Sequence, residues 1–243
     1  KLSALPNAIK DAQELYAQAN AVPDCRAELL EDLEDPKTVS DRIQRFLGRE
    51  GLKKTPPKLV CIVYNGHAMQ HGAAVYLLPE GADPHRRHCK PEREFLALSE
   101  VFDFCCEFDQ HARTLGTPRV VTFVVIVDAC RDFEQKDSAS ILDPESGRRP
   151  GEWTLCFSCS RGSVAMDGRA GEHSPFAQGL LDRASGIFAP GVPLKTALET
   201  ACRRLGSIAG SAGQTPLTLR LEAIDSALCI APALDSSVQI QAQ

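Results

Sequence analysis

The sequence predicts an α/β domain with a mostly parallel central sheet covered by helices on both faces. Three observations carry that expectation. Val120 to Val127 is an unbroken apolar run rich in β-branched residues. A half-exposed strand would alternate, so such a run reads as a strand buried on both faces of a parallel sheet. Lys58 to Tyr64, KLVCIVY, reads as a second buried strand. Around these two, strand candidates alternate with helical patterns, which implies crossover helices on both sides of the sheet.

In chain order, Pro6 to Ala19 places Ile9, Ala12, Leu15, Tyr16 and Ala19 on one helical face, with Pro6 suited to a first turn. Arg26 to Leu30 is a short strand candidate. Pro36 to Leu47 is a second helix, with Val39, Ile43, Phe46 and Leu47 inward and Gly48 near its end. The strand Lys58 to Tyr64 runs into Asn65, Gly66 and His67, and Val75 to Leu78 is the return arm of a hairpin closed by Pro79. Glu92 to Arg113 reads as one long helix with Phe95, Leu98, Val101, Phe102 and Cys105 inward. It leads into the central strand. Residues 131 to 152 are polar and rich in Gly, Pro, Asp and Arg, hence an exposed loop. Trp153 to Phe157 is a strand, Pro175 to Leu181 and Leu194 to Leu205 are helices, and Pro216 to Leu221 is a last strand.

Composition narrows the function. The chain of 243 residues, 43% hydrophobic and 24% charged, can bury a full core without disulfides or metal. A net charge of -5 and the lack of basic runs interleaved with aromatics argue against nucleic acid and against a basic membrane face. No segment approaches the roughly eighteen apolar residues of a membrane span. The chain begins at Lys1 on a helical pattern, so a trimmed upstream segment is expected, and a cytoplasmic location is the working expectation. Ten cysteines invite a disulfide framework, but that fits short secreted domains, and reduced thiols are expected. Cys156 and Cys159 have zinc-type spacing without a second pair, and the run His85 to Cys89 lies in a polar loop. No metal site is expected.

The chemistry gathers at two strand ends. Cys130 follows the central strand and His67 follows the other buried strand. In open α/β sheets ligands bind beyond the carboxyl ends of the strands. Two parallel strands can therefore present a thiol and an imidazole side by side, a nucleophile and its acid–base partner. Each residue alone also fits a plainer role, a small buried hydrophobe or a satisfied polar group.

YNGHAMQHGAAVYLLP, Tyr64 to Pro79, and VDACRD, Val127 to Asp132, resemble the caspase-like cysteine peptidases, in particular the metacaspase and paracaspase branch with its bacterial relatives. That family has a strand ending in Y-S/A-G-H-G, and nine positions after the His an aromatic residue opens an apolar run and a proline. His67 to Tyr76 keeps that spacing, and Asp128, Ala129 and Cys130 match the family's D-x-C. LPNAIKDAQEL, Leu5 to Leu15, looks like the family's first helix. Cys159 to Leu181 looks like the start of its small-subunit portion. The resemblance implies a caspase-like three-layer α/β/α sandwich in one domain, residues 1–235. Within it lie a large-subunit-like portion 1–133, a linker loop 134–152 and a small-subunit-like portion 153–235; residues 236–243 are a polar tail.

The resemblance further implies roles. Cys130 would be the nucleophile, His67 its partner, and the N–H groups of Cys130 and Ala68 the oxyanion hole. Ala68 stands where the family usually has Gly, and strain would follow if that position needed a positive φ. His71, followed by Gly72, competes for the role, but its distance to Tyr76 is wrong and it lies beyond the expected strand end. Asp128 lies two residues before the nucleophile and so points to the same side. Asp11 and Asp167 match acidic positions of the family's first specificity pocket, and three converging acids would select Arg or Lys. The expected function is therefore an endopeptidase acting on protein or peptide substrates after Arg or Lys. The alternatives are a catalytically silent domain used for scaffolding and a different thiol hydrolase. Calcium is used by some metacaspases; Asp132, Asp137 and Asp143 are available, but their spacing is no clear match, so no cofactor is expected. The upstream strand A-L-x-I-G that usually precedes the first helix is missing before Lys1. Self-cleavage in the 131–152 loop would fall at Lys136 or Arg148, because Arg149 precedes Pro150.

Overall fold

The computed structural model describes residues 2, 5–31, 35–51, 57–71, 74–79, 81–114, 121–130, 150–160, 163–208 and 214–232. Its elements are α1 (Pro6–Ala21), α2 (Pro36–Gly51), β1 (Leu59–His71), β2 (Ala74–Leu78), a one-turn α3 (Pro91–Glu94), β3 (Leu96–Ala97), α4 (Leu98–Thr114), β4 (Thr122–Cys130), β5 (Glu152–Phe157), α5 (Pro175–Leu180), α6 (Leu194–Ile208) and β6 (Leu217–Leu219). Proline opens α1, α2, α3 and α5, where its missing N–H costs nothing and its fixed φ suits a first turn. Asp35 adds a cap to α2, accepting from the Thr38 amide at 3.0 Å.

The six strands form one mixed sheet in the order β3-β2-β1-β4-β5-β6. Its centre is parallel, β1 with β4 and β4 with β5. The hairpin arm β2, the short β3 and the far edge β6 run antiparallel. Side chains alternate across the sheet and assign each face its helices. From β4, Phe123, Val125, Val127 and Ala129 pack with Val39 and Leu47 of α2 and Val101, Phe102 and Cys105 of α4. Val124 and Ile126 pack the other way, with Leu15 of α1, Phe176 of α5 and Leu198 of α6. The result is the three-layer α/β/α sandwich. Each wholly buried large side chain, Phe102 or Ile126 for example, contributes about 2 kcal/mol through removal from water.

Four expectations are corrected. Arg26 to Leu30 forms no strand; Leu30 packs on the core and Glu28 holds Arg42 at 3.1 Å and Arg49 at 2.8 Å, so side chains rather than a ladder fasten the segment to α2. Glu92 to Arg113 is not one helix. Phe95 to Ala97 is extended, because Leu96 and Ala97 pair with Leu77 and Tyr76 at the sheet edge, and Phe95 joins Met69, Tyr76 and Leu78 in a separate cluster. β1 does not stop at Tyr64 but runs to His71, since beyond its β4 partner it gains β2 as a ladder. Finally, α1 buries Asn7, Asp11, Leu15 and Ala19, whereas Ile9 and Tyr16 are exposed. The loop from 131 to 149, with Asp132, Asp137, Asp143, Lys136, Arg148 and Arg149, lies outside the described residues, as does the tail.

Candidate active site

The parallel register between β1 and β4 pairs Asn65 with Asp128, Gly66 with Ala129 and His67 with Cys130. Parallel neighbours lie about 4.8 Å apart. Leu59, Cys61 and Val63 face the α1, α5 and α6 layer, so strand alternation carries Asn65 and His67 to that same face. Val124 and Ile126 do likewise on β4, which puts Asp128 and Cys130 there too. The imidazole and the thiol thus leave the same face of the sheet at paired positions. Cys130 is half-buried, and its Sγ lies 3.4 Å from the Ala165 carbonyl. At Gly66 a Cβ would come within 2.8 Å of the Tyr64 hydroxyl. That hydroxyl lies 2.6 Å from the His67 carbonyl and 2.8 Å from the Leu78 carbonyl, tying the His turn of the strand to the hairpin arm.

Ala68 is buried in β1 opposite Leu77, and its φ is not positive, so alanine is unstrained there. His71 is part of β1, contrary to expectation, but it pairs with Ala74 on the hairpin and lies past the β4 register, four residues beyond the partner of Cys130.

Asp128 is buried, and its Oδ2 accepts from the Ser174 hydroxyl at 2.5 Å. Burial, reinforced by the neighbouring carboxylates of Asp11 and Asp167, pushes its carboxyl up to about 6. Asp11 is also buried: one oxygen lies 2.6 Å from His173 Nδ1 and the other accepts from the Ser174 amide at 3.1 Å. Burial raises its pKa against the pull of His173. Asp167 is half-exposed and raised by burial, with His67 near enough to draw it back. The three acids and His67 therefore occupy one neighbourhood, although α1, β1, β4 and the segment after β5 supply them from distant parts of the chain.

Two residues that sequence reading passed over hold this neighbourhood together. Ser174 caps α5, accepting from the Ala177 amide at 2.9 Å while it donates to Asp128. Its signal was present, because Ser before Pro and an apolar helix is a capping pattern. Asn7 donates to the carbonyls of Asp167 at 2.5 Å and Arg169 at 2.9 Å and accepts from the Gly171 amide at 3.0 Å. It thereby pins the 167–171 segment to α1. Gly168 is needed in that segment, since its φ of +82° is left-handed and a Cβ would sit 2.6 Å from the His173 carbonyl. We predict that Ser174→Ala lowers stability by about 1–3 kcal/mol, because a cap and the partner of a buried carboxylate vanish together. Urea denaturation at pH 7.5 measures it, and an unchanged midpoint would show that Ser174 carries neither load.

Among the described residues no group of three or more His, Cys, Asp or Glu is arranged to hold a metal ion. Cys156 turns to Cys202 and Cys159 to the Ala129 carbonyl, so the zinc-type spacing of those two does not become a shared site.

Comparison with known proteins decides the family. The caspase-domain family model matches residues 1–217. The chain belongs to the caspase-domain family. Its fold is similar to the crystal structure of caspase-1 from Spodoptera frugiperda, with a TM-score of 0.60 at 12% identity over 96% of this chain and 84% of that one. It is also similar to the structure of pro-sf-caspase-1, with a TM-score of 0.57 at 13% identity over 91% and 82%. No curated protein matches the chain. The chain is thus a caspase-like cysteine peptidase domain. Among its described residues no helix is long and apolar enough to cross a membrane.

Proposed function

We propose that this caspase-domain protein is an endopeptidase that cleaves after Arg or Lys, with Cys130 as nucleophile and His67 as acid–base partner. The observation that carries the reading is the register pair His67–Cys130 on adjacent parallel strands, with the Asp128 carboxylate two residues before the thiol on the same face. The Cys130 thiol passes its proton to the His67 imidazole, and Sγ attacks the scissile carbonyl. The oxyanion is held by the N–H groups of Cys130 and Ala68. The C–N bond breaks as His67 returns the proton to the departing amine. Water, deprotonated by His67, then hydrolyses the thioester and restores the thiol. No cofactor enters these steps.

The basic side chain is met by Asp128 and Asp167. Both oxygens of Asp11 are already engaged within the protein, so it acts on the pocket through His173, Ser174 and its field on Asp128. The metacaspases and paracaspases that the motifs resemble share such an acidic pocket, whereas a pocket for Asp needs cations.

The test is hydrolysis of fluorogenic peptides with Arg, Lys, Asp or Leu before the scissile bond, with and without calcium. We expect kcat/KM for Arg and Lys to exceed that for Asp by roughly a thousandfold, as for a matched against a repelled buried charge. Preference for Asp or Leu would overturn the acidic-pocket assignment. No cleavage of any peptide by folded protein would favour the scaffolding alternative.

A further inference from the structure

Away from the catalytic edge, two thiols that the mechanism does not use meet under α6. The Sγ atoms of Cys156 in β5 and Cys202 on α6 are 3.9 Å apart. The Thr218 hydroxyl of β6 lies 3.4 Å from the first and 3.7 Å from the second. Cys156 is wholly buried, but Cys202 is half-buried, so an oxidant reaches the pair from one side. We propose that Cys156 and Cys202 are an oxidisable pair, a site at which a hydroperoxide installs a reversible disulfide between β5 and α6.

The two thiols have separate parts. Cys202 thiolate attacks the terminal oxygen of the hydroperoxide; the O–O bond breaks, an alcohol or water leaves, and Cys202 becomes a sulfenic acid. The Cys156 sulfur then attacks that sulfur, the S–O bond breaks, and water leaves with the Cys156 proton. Two thiols lose two electrons, and the peroxide takes them. A second thiol in contact is what turns such oxidation into a disulfide rather than an overoxidised lone cysteine.

Electrostatics distinguishes Cys202 from Cys61 and Cys105. Hydrogen bonding from Cys156, with help from the Thr218 hydroxyl, holds Cys202 below the ordinary thiol range in spite of burial and the nearby Glu199. Cys61, half-buried, and Cys105, buried, have no such donors, and desolvation pushes both up to about 12. The ring closed by the bond contains Asp167, Ser174 and α5. Oxidation therefore ties down the segment that carries two groups of the pocket.

The experiment treats reduced full-length chain with small molar excesses of hydrogen peroxide, blocks residual thiols, and maps non-reduced peptides by mass spectrometry. We expect the Cys156–Cys202 linked peptide to form first, roughly tenfold more readily than oxidation of Cys229, because a second thiol in contact captures the sulfenic acid as a disulfide. The melting midpoint should rise on oxidation and return with reductant. In Cys202→Ser the linked peptide should vanish; in Cys156→Ser a sulfenic acid at Cys202 should be trapped by dimedone. The proposal is overturned if Cys202 in the wild-type chain stays reduced while Cys229 oxidises, or if it pairs with another cysteine. These wild-type readouts do not depend on either variant folding.

Discussion

Cys130→Ala is expected to lower kcat on basic peptide substrates by roughly 10⁴-fold or more, the loss typical of a deleted nucleophile. His67→Ala should cost nearly as much, and the double variant little more than either single one. The thiol and the imidazole sit at one register step and are proposed to act as a unit, so their losses should not add. Cys130 is half-buried at the end of β4 and contributes little packing, so the melting midpoint of Cys130→Ala should stay close to wild type. Labelling by a basic peptide chloromethylketone, followed by peptide mapping, checks the assignment independently of turnover. Persistent hydrolysis by Cys130→Ala, or a label on another cysteine, would remove Cys130 from its role.

Asp128→Asn should make the protein more stable and much less active. The carboxyl rises from 3.8 in the unfolded chain to about 6 in the fold, with burial as the main cause. A folded pKa above the unfolded one contributes stability below pH 3.8 that is lost as pH rises through 6. At neutral pH the native state thus holds a carboxylate that burial disfavours by roughly 3 kcal/mol, two pKa units converted at 1.36 kcal/mol each. Asparagine carries no such charge, so the variant should melt higher at pH 7.5 and the difference should shrink toward pH 4. Activity moves the other way: kcat/KM for Arg substrates should fall by roughly 10²-fold or more on loss of a buried charge partner. In the wild type, kcat/KM for Arg should climb as pH passes through about 6, where Asp128 becomes anionic. A flat profile between pH 5 and 7 combined with full activity of Asp128→Asn would take Asp128 out of the pocket.

A pocket acid kept at a cost in stability is a familiar compromise at functional sites, where local preference gives way to chemistry. Here Ser174 limits the cost, with its hydroxyl on Asp128 and its amide on Asp11. Asn7 ties α1 to the 167–171 segment that carries Asp167.

The central strands could be read without any structure. An unbroken apolar run such as Val121 to Val127 has no exposed face to offer, so burial on both sides and a parallel neighbour follow from composition alone. The same reading put Cys130 at a strand end, where β4 does stop, and His67 just past one, although β1 carries on through His67 to His71; D-x-C and the His-to-Tyr76 spacing supplied the resemblance to the family. What propensity could not decide was every feature set by a distant partner. Phe95 to Ala97 has a helical pattern, but the open edge of β2 draws it into a strand. Arg26 to Leu30 reads as a short strand but meets α2 through side chains instead. On α1 the amphipathic pattern placed Leu15 and Ala19 inward correctly but also favoured Ile9 and Tyr16, whereas the other buried positions are Asn7 and Asp11, whose hydrogen-bond partners lie some 160 residues away. Local sequence thus determined which strands form the centre and that Cys130 stands at the end of one of them, because apolar burial is written into each segment. Only the tertiary structure decided the one-to-one register of His67 with Cys130 and the meeting of Asp11, Asp128 and Ser174, because hydrogen bonds and charge contacts between remote segments exist only after the sheet has closed.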